Sequence, residues 1–435
     1  MATPVDRLFV HCKQLVTLAD GPAAGPRRGA AMRALGVVED GAIAVKDGRI
    51  VATGTTDALA RDYAAKEELD LSGFVVMPGF VDCHTHPVFA ATREREFHMR
   101  CQGADYMAIA QKGGGILSSM RAVRAASQQE LTEATRERLW GFLQNGTTTV
   151  EAKTGYGLSL ADEEKSLLAL RDAMVDVPLR VSRTFLGAHE FPPEYRENRE
   201  AYVQLLCNEM IPKLSKLAES CDVFAEPGVF DRVQSLRILS AARAEGLRLR
   251  MHADELQPMG GAELAVELRA DSADHLGKIS EQGIQAMAGS DTVAVLLPGT
   301  GFFLGKDIYA PARRMIEAGC IVAIATDFNP GSCHTQSMTL IHTLSCVKLK
   351  MHPEEVIAAS TINAAFSLQL DGEVGTLHAG KRADFVALDI PSWEAVGYAF
   401  GGNPVAMTIK DGEPVCINAS DRSPDPFVVR RGGGE

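Results

Sequence analysis

The residues best suited to chemistry in this 435-residue chain are histidines and carboxylates that close short apolar runs. Val75-Val76-Met77-Pro78-Gly79-Phe80-Val81-Asp82 leads into Cys83-His84-Thr85-His86. In a strand, residues i and i+2 point to one side, so His84 and His86 can face a single ion together. A His-x-His pair alone is a weak signal and gains its weight from partners. Leu247-Arg248-Leu249-Arg250-Met251 runs into His252-Ala253-Asp254-Glu255, Ser272-Ala273-Asp274 into His275, and Ile321-Val322-Ala323-Ile324-Ala325-Thr326 into Asp327. His84, His86, His252 and Asp327 would give a mixed nitrogen and oxygen set suited to one Zn²⁺ or Fe²⁺ per chain. With one position left for water, such an ion lowers the water's pKa towards neutrality. Asp327 could then take the proton and return it to a leaving nitrogen, while His275 hydrogen-bonds the attacking oxygen or the developing oxyanion. Glu255, three residues past His252, is a candidate proton shuttle or partner of a substrate nitrogen. The plainer alternative for it is a carboxylate at a helix N-terminus.

Something must bring these distant residues together. Apolar strand-like runs alternate with amphipathic stretches across residues 78–370, and eight candidate strands end near His86, Lys153, His189, Val229, His252, His275, Pro298 and Asp327. Helical patterns follow at 161–174, 201–218, 233–245 and 261–269. That alternation suits an α/β protein of the (β/α)₈ barrel type, in which active sites lie at the C-terminal strand ends. Five of the eleven histidines (His84, His86, His189, His252, His275) and Asp327 fall at such ends. An open doubly wound sheet is the alternative. It wants a glycine-rich phosphate turn after an early strand, and Gly113-Gly114-Gly115 is not placed that way. Residues 1–77 read as short strands at Phe9-Val10, Ala42-Ile43-Ala44-Val45 and Arg49-Ile50-Val51, punctuated by Asp40-Gly41 and Asp47-Gly48 as hairpin-type turns. Residues 371–435 look similar, with strands around 383–388 and 406–412 and a frayed Arg430-Arg431-Gly432-Gly433-Gly434-Glu435 tail. The two flanks would build one small β-sandwich domain.

Composition narrows the partners. The net charge is −12 and no basic stripe occurs, which argues against nucleic acid and anionic membrane and leaves a small-molecule substrate. Nine scattered cysteines without a Cys-x-x-Cys pair indicate neither a disulfide framework nor a zinc knuckle. No secretory pattern opens the chain and no apolar run is long enough to span a bilayer, so a cytoplasmic protein is expected.

Several segments are more specific than the histidine pair. They include Pro78 to His86, Thr92-Arg93-Glu94-Arg95-Glu96-Phe97, Gly113-Gly114-Gly115-Ile116, Val150-Glu151-Ala152-Lys153-Thr154-Gly155-Tyr156-Gly157 and Phe185-Leu186-Gly187-Ala188-His189. His252-Ala253-Asp254-Glu255, Leu297-Pro298-Gly299-Thr300 and Asp327-Phe328-Asn329-Pro330-Gly331-Ser332 complete them. Over nearly its whole length the chain resembles the amidohydrolase superfamily and, within it, the imidazolonepropionase family of histidine degradation. The resemblance implies hydrolysis of 4-imidazolone-5-propanoate to N-formimidoyl-L-glutamate by a homodimer. It places the metal on His84, His86, His252 and Asp327, and substrate contacts on Arg93, Tyr156, His189, Glu255, Asn329, Gly331 and Ser332. The residue chemistry agrees: Arg93, Tyr156 and His189 could donate to the propanoate, and Glu255, Asn329 and the Gly331 backbone could meet the polar ring. Taken alone, Arg93 belongs to a charged run that would ordinarily be a solvated face, and His189 could be a core histidine. The chain departs from the family at Pro87 and Ala90-Ala91, beside the His84-Thr85-His86 strand and Arg93, where a larger aliphatic residue and a glycine pair are usual and where a change could alter the pocket wall.

Three rivals stand against this. A cytosine- or guanine-type deaminase on the same scaffold could use His252, Glu255 and Asp327 equally well. A binuclear hydantoinase-like enzyme needs a lysine at the end of the fourth strand, and 222–229 has none. A non-catalytic scaffold would be expected to have lost part of the His and Asp set.

Overall fold

The computed structural model describes residues 2–103, 114–418 and 430–431, so Gly113 and the terminal 432–435 lie outside the described residues. The chain packs as two compact units, Cys83–Trp140 with Val150–Gln336, and Met1–Asp82 with Gly141–Thr149 and Ser337–Glu435.

Eight strands form the sheet that carries the candidate site: β1 (Phe80–Asp82), β2 (Thr147–Lys153), β3 (Arg180–Ala188), β4 (Ser220–Ala225), β5 (Arg248–Ala253), β6 (Ser272–His275), β7 (Val293–Leu296) and β8 (Val322–Ile324). They lie side by side in chain order, and helices follow most of them, the (β/α)₈ barrel expected. Most strand residues are buried on both faces, as a parallel sheet covered by helices requires. The sheet curls until its ends meet beyond β1 and β8. There Thr85 bridges Phe328 in parallel, His86 N donates to Phe328 O (2.8 Å), and Asp327 N donates to His84 O (3.1 Å). The seam that closes the barrel is thus made by the residues flanking His84, His86 and Asp327.

The helices carry their own start signals. Ser159 accepts from Asp162 N to begin Leu160–Ala173, and Asp231 with Gln234 forms a capping box at Arg232–Ala244. Two expectations change. The helix read over 201–218 is instead Arg199–Leu205, a wide turn at Leu206–Met210, then Ile211–Leu214 and Ser215–Leu217. Pro212 lacks a donor and crowds the carbonyl one turn back, which a regular helix cannot accommodate. The fourth strand stops at Ala225 rather than near Val229, because Glu226-Pro227-Gly228 turns the chain, with Gly228 at φ +91°.

The unit of Met1–Asp82, Gly141–Thr149 and Ser337–Glu435 contains a nine-stranded sheet built from both chain ends. Glu413–Ile417, Val405–Lys410, Phe385–Leu388, Val75–Pro78, Thr3–Val16, Val37–Lys46 and Arg49–Thr55 lie in that order, with Tyr63–Asp70 also pairing on Thr3–Val16 and Arg430–Arg431, expected to be part of a frayed tail, pairing antiparallel on Tyr63–Asp70. Neighbouring residues feed opposite faces. Phe9, Ile43 and Val45 join one apolar cluster with Phe385 and Met407, while Leu8, Val10, Ala42 and Ala44 join another under Leu59. Asp47-Gly48 makes a hairpin turn, as expected. Asp40-Gly41 does not: it lies inside Val37–Lys46, where Asp40 at φ +45° stands near a register shift against Phe9 and Cys12. A left-handed residue within a ladder makes an irregularity that the pairing resumes beyond.

Candidate active site

Alternation along the barrel strands decides what reaches the interior. Glu151 and Lys153 on β2, Asp222 and Phe224 on β4, and Arg250 and His252 on β5 are i, i+2 pairs that share a side. Lys153 Nζ lies 2.8 Å from Glu151 Oε1, 2.8 Å from Asp222 Oδ2 and 3.9 Å from Asp274 Oδ2, with all four side chains fully buried. Two of these carboxylates hold imidazoles. Asp274 Oδ2 accepts from His84 Nδ1 at 2.6 Å, and Asp222 Oδ2 faces His252 Nδ1 at 3.0 Å. Arg250 donates to Cys83 O (3.0 Å) and faces Glu151 at 3.8 Å. This charged floor was not anticipated. Its signal was present, since Lys153 and Asp274 lie within one residue of the ends of their strands and Asp222 three residues before the end of its own.

Above the floor, His84 Nε2, His86 Nε2 and Asp327 Oδ1 face one another. The nitrogens are 3.3 Å apart and the oxygen is 3.7 and 3.6 Å from them. Burial, with help from Lys153 and neighbouring imidazoles, holds both histidines well below their usual range, so they are neutral. Because His84 Nδ1 gives its proton to Asp274, its Nε2 presents a lone pair to this cluster. Bonds of about 2.0–2.1 Å to one tetrahedral cation separate donors by roughly 3.3–3.4 Å. The residues present therefore fit a divalent ion. His252 groups with His84 and His275 in a second triad sharing His84, and its ring centre is 4.5 Å from that of His84. Asp327 Oδ2 accepts from the Thr300 hydroxyl, and burial pushes the Asp327 carboxyl up, opposed by His275 and Thr300. Asp327 (φ +53°) and His275 (φ +74°) both hold left-handed backbone, a strain of about 1–2 kcal/mol each that aims them off the strand ends.

A cavity of about 430 Å³ opens over this cluster. Every residue expected to touch substrate lines it: Arg93, Tyr156, His189, Glu255, Asn329, Gly331 and Ser332. Pro87, Ala90 and Ala91, where the chain departs from the family, are not among its walls. Glu163 shapes one wall, accepting from Gly155 N (3.2 Å), Gly157 N (2.7 Å) and Leu158 N (2.9 Å), which fixes the turn that presents Tyr156. A side chain at Gly155, φ +113°, would run into Leu186 O and His189.

His189 Nδ1 lies 3.0 Å from Gly155 O, and a carbonyl only accepts, so the proton is on Nδ1. Burial drops this imidazole to about 3, which leaves Nε2 an acceptor. The expectation that His189 donates to a propanoate is revised accordingly: it suits an N–H or O–H of a ligand. Asn329 spends its amide on its own loop, giving to Asp327 O and Ser332 Oγ and accepting from Gly331 N and Ser332 N, all at 2.7–2.8 Å. Arg93 is no solvated-face residue. It forks onto Glu96 and lies over Gly331, where a Cβ would overlap its guanidinium. Glu255 faces His275 Nδ1 (3.7 Å) and Lys306 Nζ (3.5 Å). Burial alone would raise its pKa, but these two neighbours outweigh it and hold it below the usual range.

A (β/α)₈ barrel with imidazoles and a carboxylate gathered at its strand ends defines a metal-dependent amidohydrolase, and the amidohydrolase family matches residues 75–415. A segment at 41–65 matches the imidazolonepropionase-like composite domain of bacteria. The chain is 50% identical over 415 residues to an imidazolonepropionase of Symbiobacterium thermophilum, covering 94% of this chain and 97% of the relative. It is 47% identical over 408 residues to that of Brevibacillus brevis, covering 92% and 96%. The chain belongs to the imidazolonepropionase family. Among solved structures, a zinc-containing adenosine deaminase from Xanthomonas campestris aligns with TM-score 0.72 at 18% identity over 96% of this chain and 94% of that one. An E. coli guanine deaminase aligns with TM-score 0.71 at 14% identity, over 95% and 99%. At such identities these two show the shared fold alone.

Asp222→Asn is expected to weaken the hold on a divalent ion about 10- to 100-fold, because the carboxylate fixes His252. Competition with a chromophoric chelator measures this, and an unchanged affinity would remove Asp222 from the ligand-positioning role.

Proposed function

We propose that the chain hydrolyses the ring C–N bond of 4-imidazolone-5-propanoate to give N-formimidoyl-L-glutamate. The observation that carries this is the joining of the two layers just described: a neutral-imidazole and carboxylate cluster, and a cavity lined by the family-specific segments around Tyr156, His189 and Asn329. His84, His86, His252 and Asp327 would hold one Zn²⁺ or Fe²⁺. Such an ion, when bound, supplies a Lewis acid and a water acidified into the neutral range.

The chain's own groups divide the remaining work. Asp327 Oδ1 faces the imidazoles while Oδ2 is kept in place by Thr300, so Oδ2 is the oxygen set to take a proton from water and deliver it to the leaving nitrogen. His275 turns Nδ1 towards Glu255, which leaves Nε2 for the oxygen that becomes negative as the ring carbonyl is attacked. Glu255, kept ionised by His275 and Lys306, accepts from a ring N–H. Tyr156, whose hydroxyl burial keeps protonated, donates. His189 Nε2 accepts. Asn329, Gly331 and Ser332 shape the wall against which the ring lies.

The test is product identity. Wild-type chain given imidazolonepropanoate should yield N-formimidoyl-L-glutamate, and Asp327→Asn should lower kcat by about 10²–10⁴-fold. Ammonia released from a nucleobase, with imidazolonepropanoate untouched, would overturn the proposal in favour of a deaminase. A homodimer is part of the same proposal, on the family resemblance, and light scattering should give twice the chain mass; a monomer would remove that part.

A further inference from the structure

Among the described residues, three cations line the cavity: Arg93, Arg100 and Lys306. Two already face a carboxylate. Arg93 gives Nε and Nη2 to Glu96 Oε2 at 3.0 and 2.7 Å, and Lys306 Nζ stands 3.5 Å from Glu255. Glu96 has little left to offer, since its other oxygen accepts from Gly115 N at 3.0 Å. Arg100 is different. Its contacts among the described residues are the Gly331 carbonyl, 3.3 Å from Nη2, and the rings of Phe97 and Phe303, 5.8 and 5.4 Å from Cζ. Those two rings stack at 5.1 Å and carry the guanidinium by its cationic face. A guanidinium has five N–H donors in a fixed fork, and one long bond to a carbonyl leaves most of them unused. Both arginines converge on one residue, Arg93 lying over Gly331 and Arg100 holding its carbonyl. Among the described residues, the cavity wall there carries two guanidinium charges and one carboxylate, which leaves one positive charge unmatched.

We propose that Arg100 is a specificity-determining residue: it supplies the unmatched charge that recognises the carboxylate of the ligand's side chain, beside an Arg93 already neutralised by Glu96. This rests on the hydrolysis of imidazolonepropanoate proposed above. A carboxylate is the group that a planar fork binds through two parallel bonds, and such charge-assisted bonds are the strong ones. The family resemblance offered Arg93 for that task together with Tyr156 and His189; the Glu96 pairing that occupies Arg93 is a feature of the folded helix turn.

The experiment compares imidazolonepropanoate with its carboxamide, which keeps the ring and chain but loses the charge. The quantity read is the ratio of kcat/KM for acid over amide in wild type, Arg100→Gln and Arg100→Lys. Arg100→Gln should lower that ratio about 10- to 100-fold, mainly through KM of the acid, and Arg100→Lys should restore most of it. The dissociation constants of the unreactive pair imidazole-4-propanoate and its amide give the same ratio without turnover. An Arg100→Gln chain with the wild-type ratio, whatever its overall activity or affinity, would overturn the proposal and leave Arg100 as packing. A wild-type chain that opens neither compound would overturn the functional assignment itself, a failure visible before any variant is made.

Discussion

The fully buried ammonium of Lys153 is the constraint on which the site depends. A lone ion at such depth is several kcal/mol unfavourable, and removing one partner of a buried pair typically costs about 3–5 kcal/mol. Glu151, Asp222 and Asp274 surround Lys153, and two of them also grip the imidazoles of His252 and His84. The requirement to satisfy one cation therefore fixes the rings that face the cluster above. In formal charges, three carboxylates stand against Lys153 and Arg250, and Asp327 adds a further negative charge. A divalent ion brings the whole to neutrality, which is an electrostatic reason for the site to prefer one.

The barrel seam contributes a second constraint. Backbone bonds between 84–86 and 327–328 close the sheet, so the His-x-His segment and the late aspartate cannot separate without opening it. Left-handed backbone at His275 and Asp327 then redirects those side chains. The floor sets ring orientation, the seam sets separation, and strained backbone sets direction. The cavity wall is shaped by loop-internal bonds of Glu163 and Asn329, so its recognition surface is largely built before any ligand arrives.

How much of this was legible in sequence follows from range. His84, His86, His252, His275 and Asp327 were visible because each sits at the end of an apolar run, and strand periodicity is a local signal. Lys153, Asp222 and Asp274 were individually visible but not as a set, since their pairing depends on which strands are neighbours and on shared register. Arg93 and Arg100 lie seven residues apart on one helical segment, yet which of them is neutralised depends on the side-chain fork to Glu96. The acceptor role of His189 was hidden in a bond to Gly155 O, 34 positions away in sequence. Asp40-Gly41 was misread for the opposite reason: a strong local turn signal lost to strand pairing on both sides of it.

The most direct test of this account is the metal content of the purified chain, counted by elemental analysis and followed through chelation and reconstitution. One divalent ion per chain, zinc or iron, lost together with hydrolysis and restored with it, is the expected result. Two ions per chain, or full hydrolysis with none, would contradict a single cation held above the Lys153 floor.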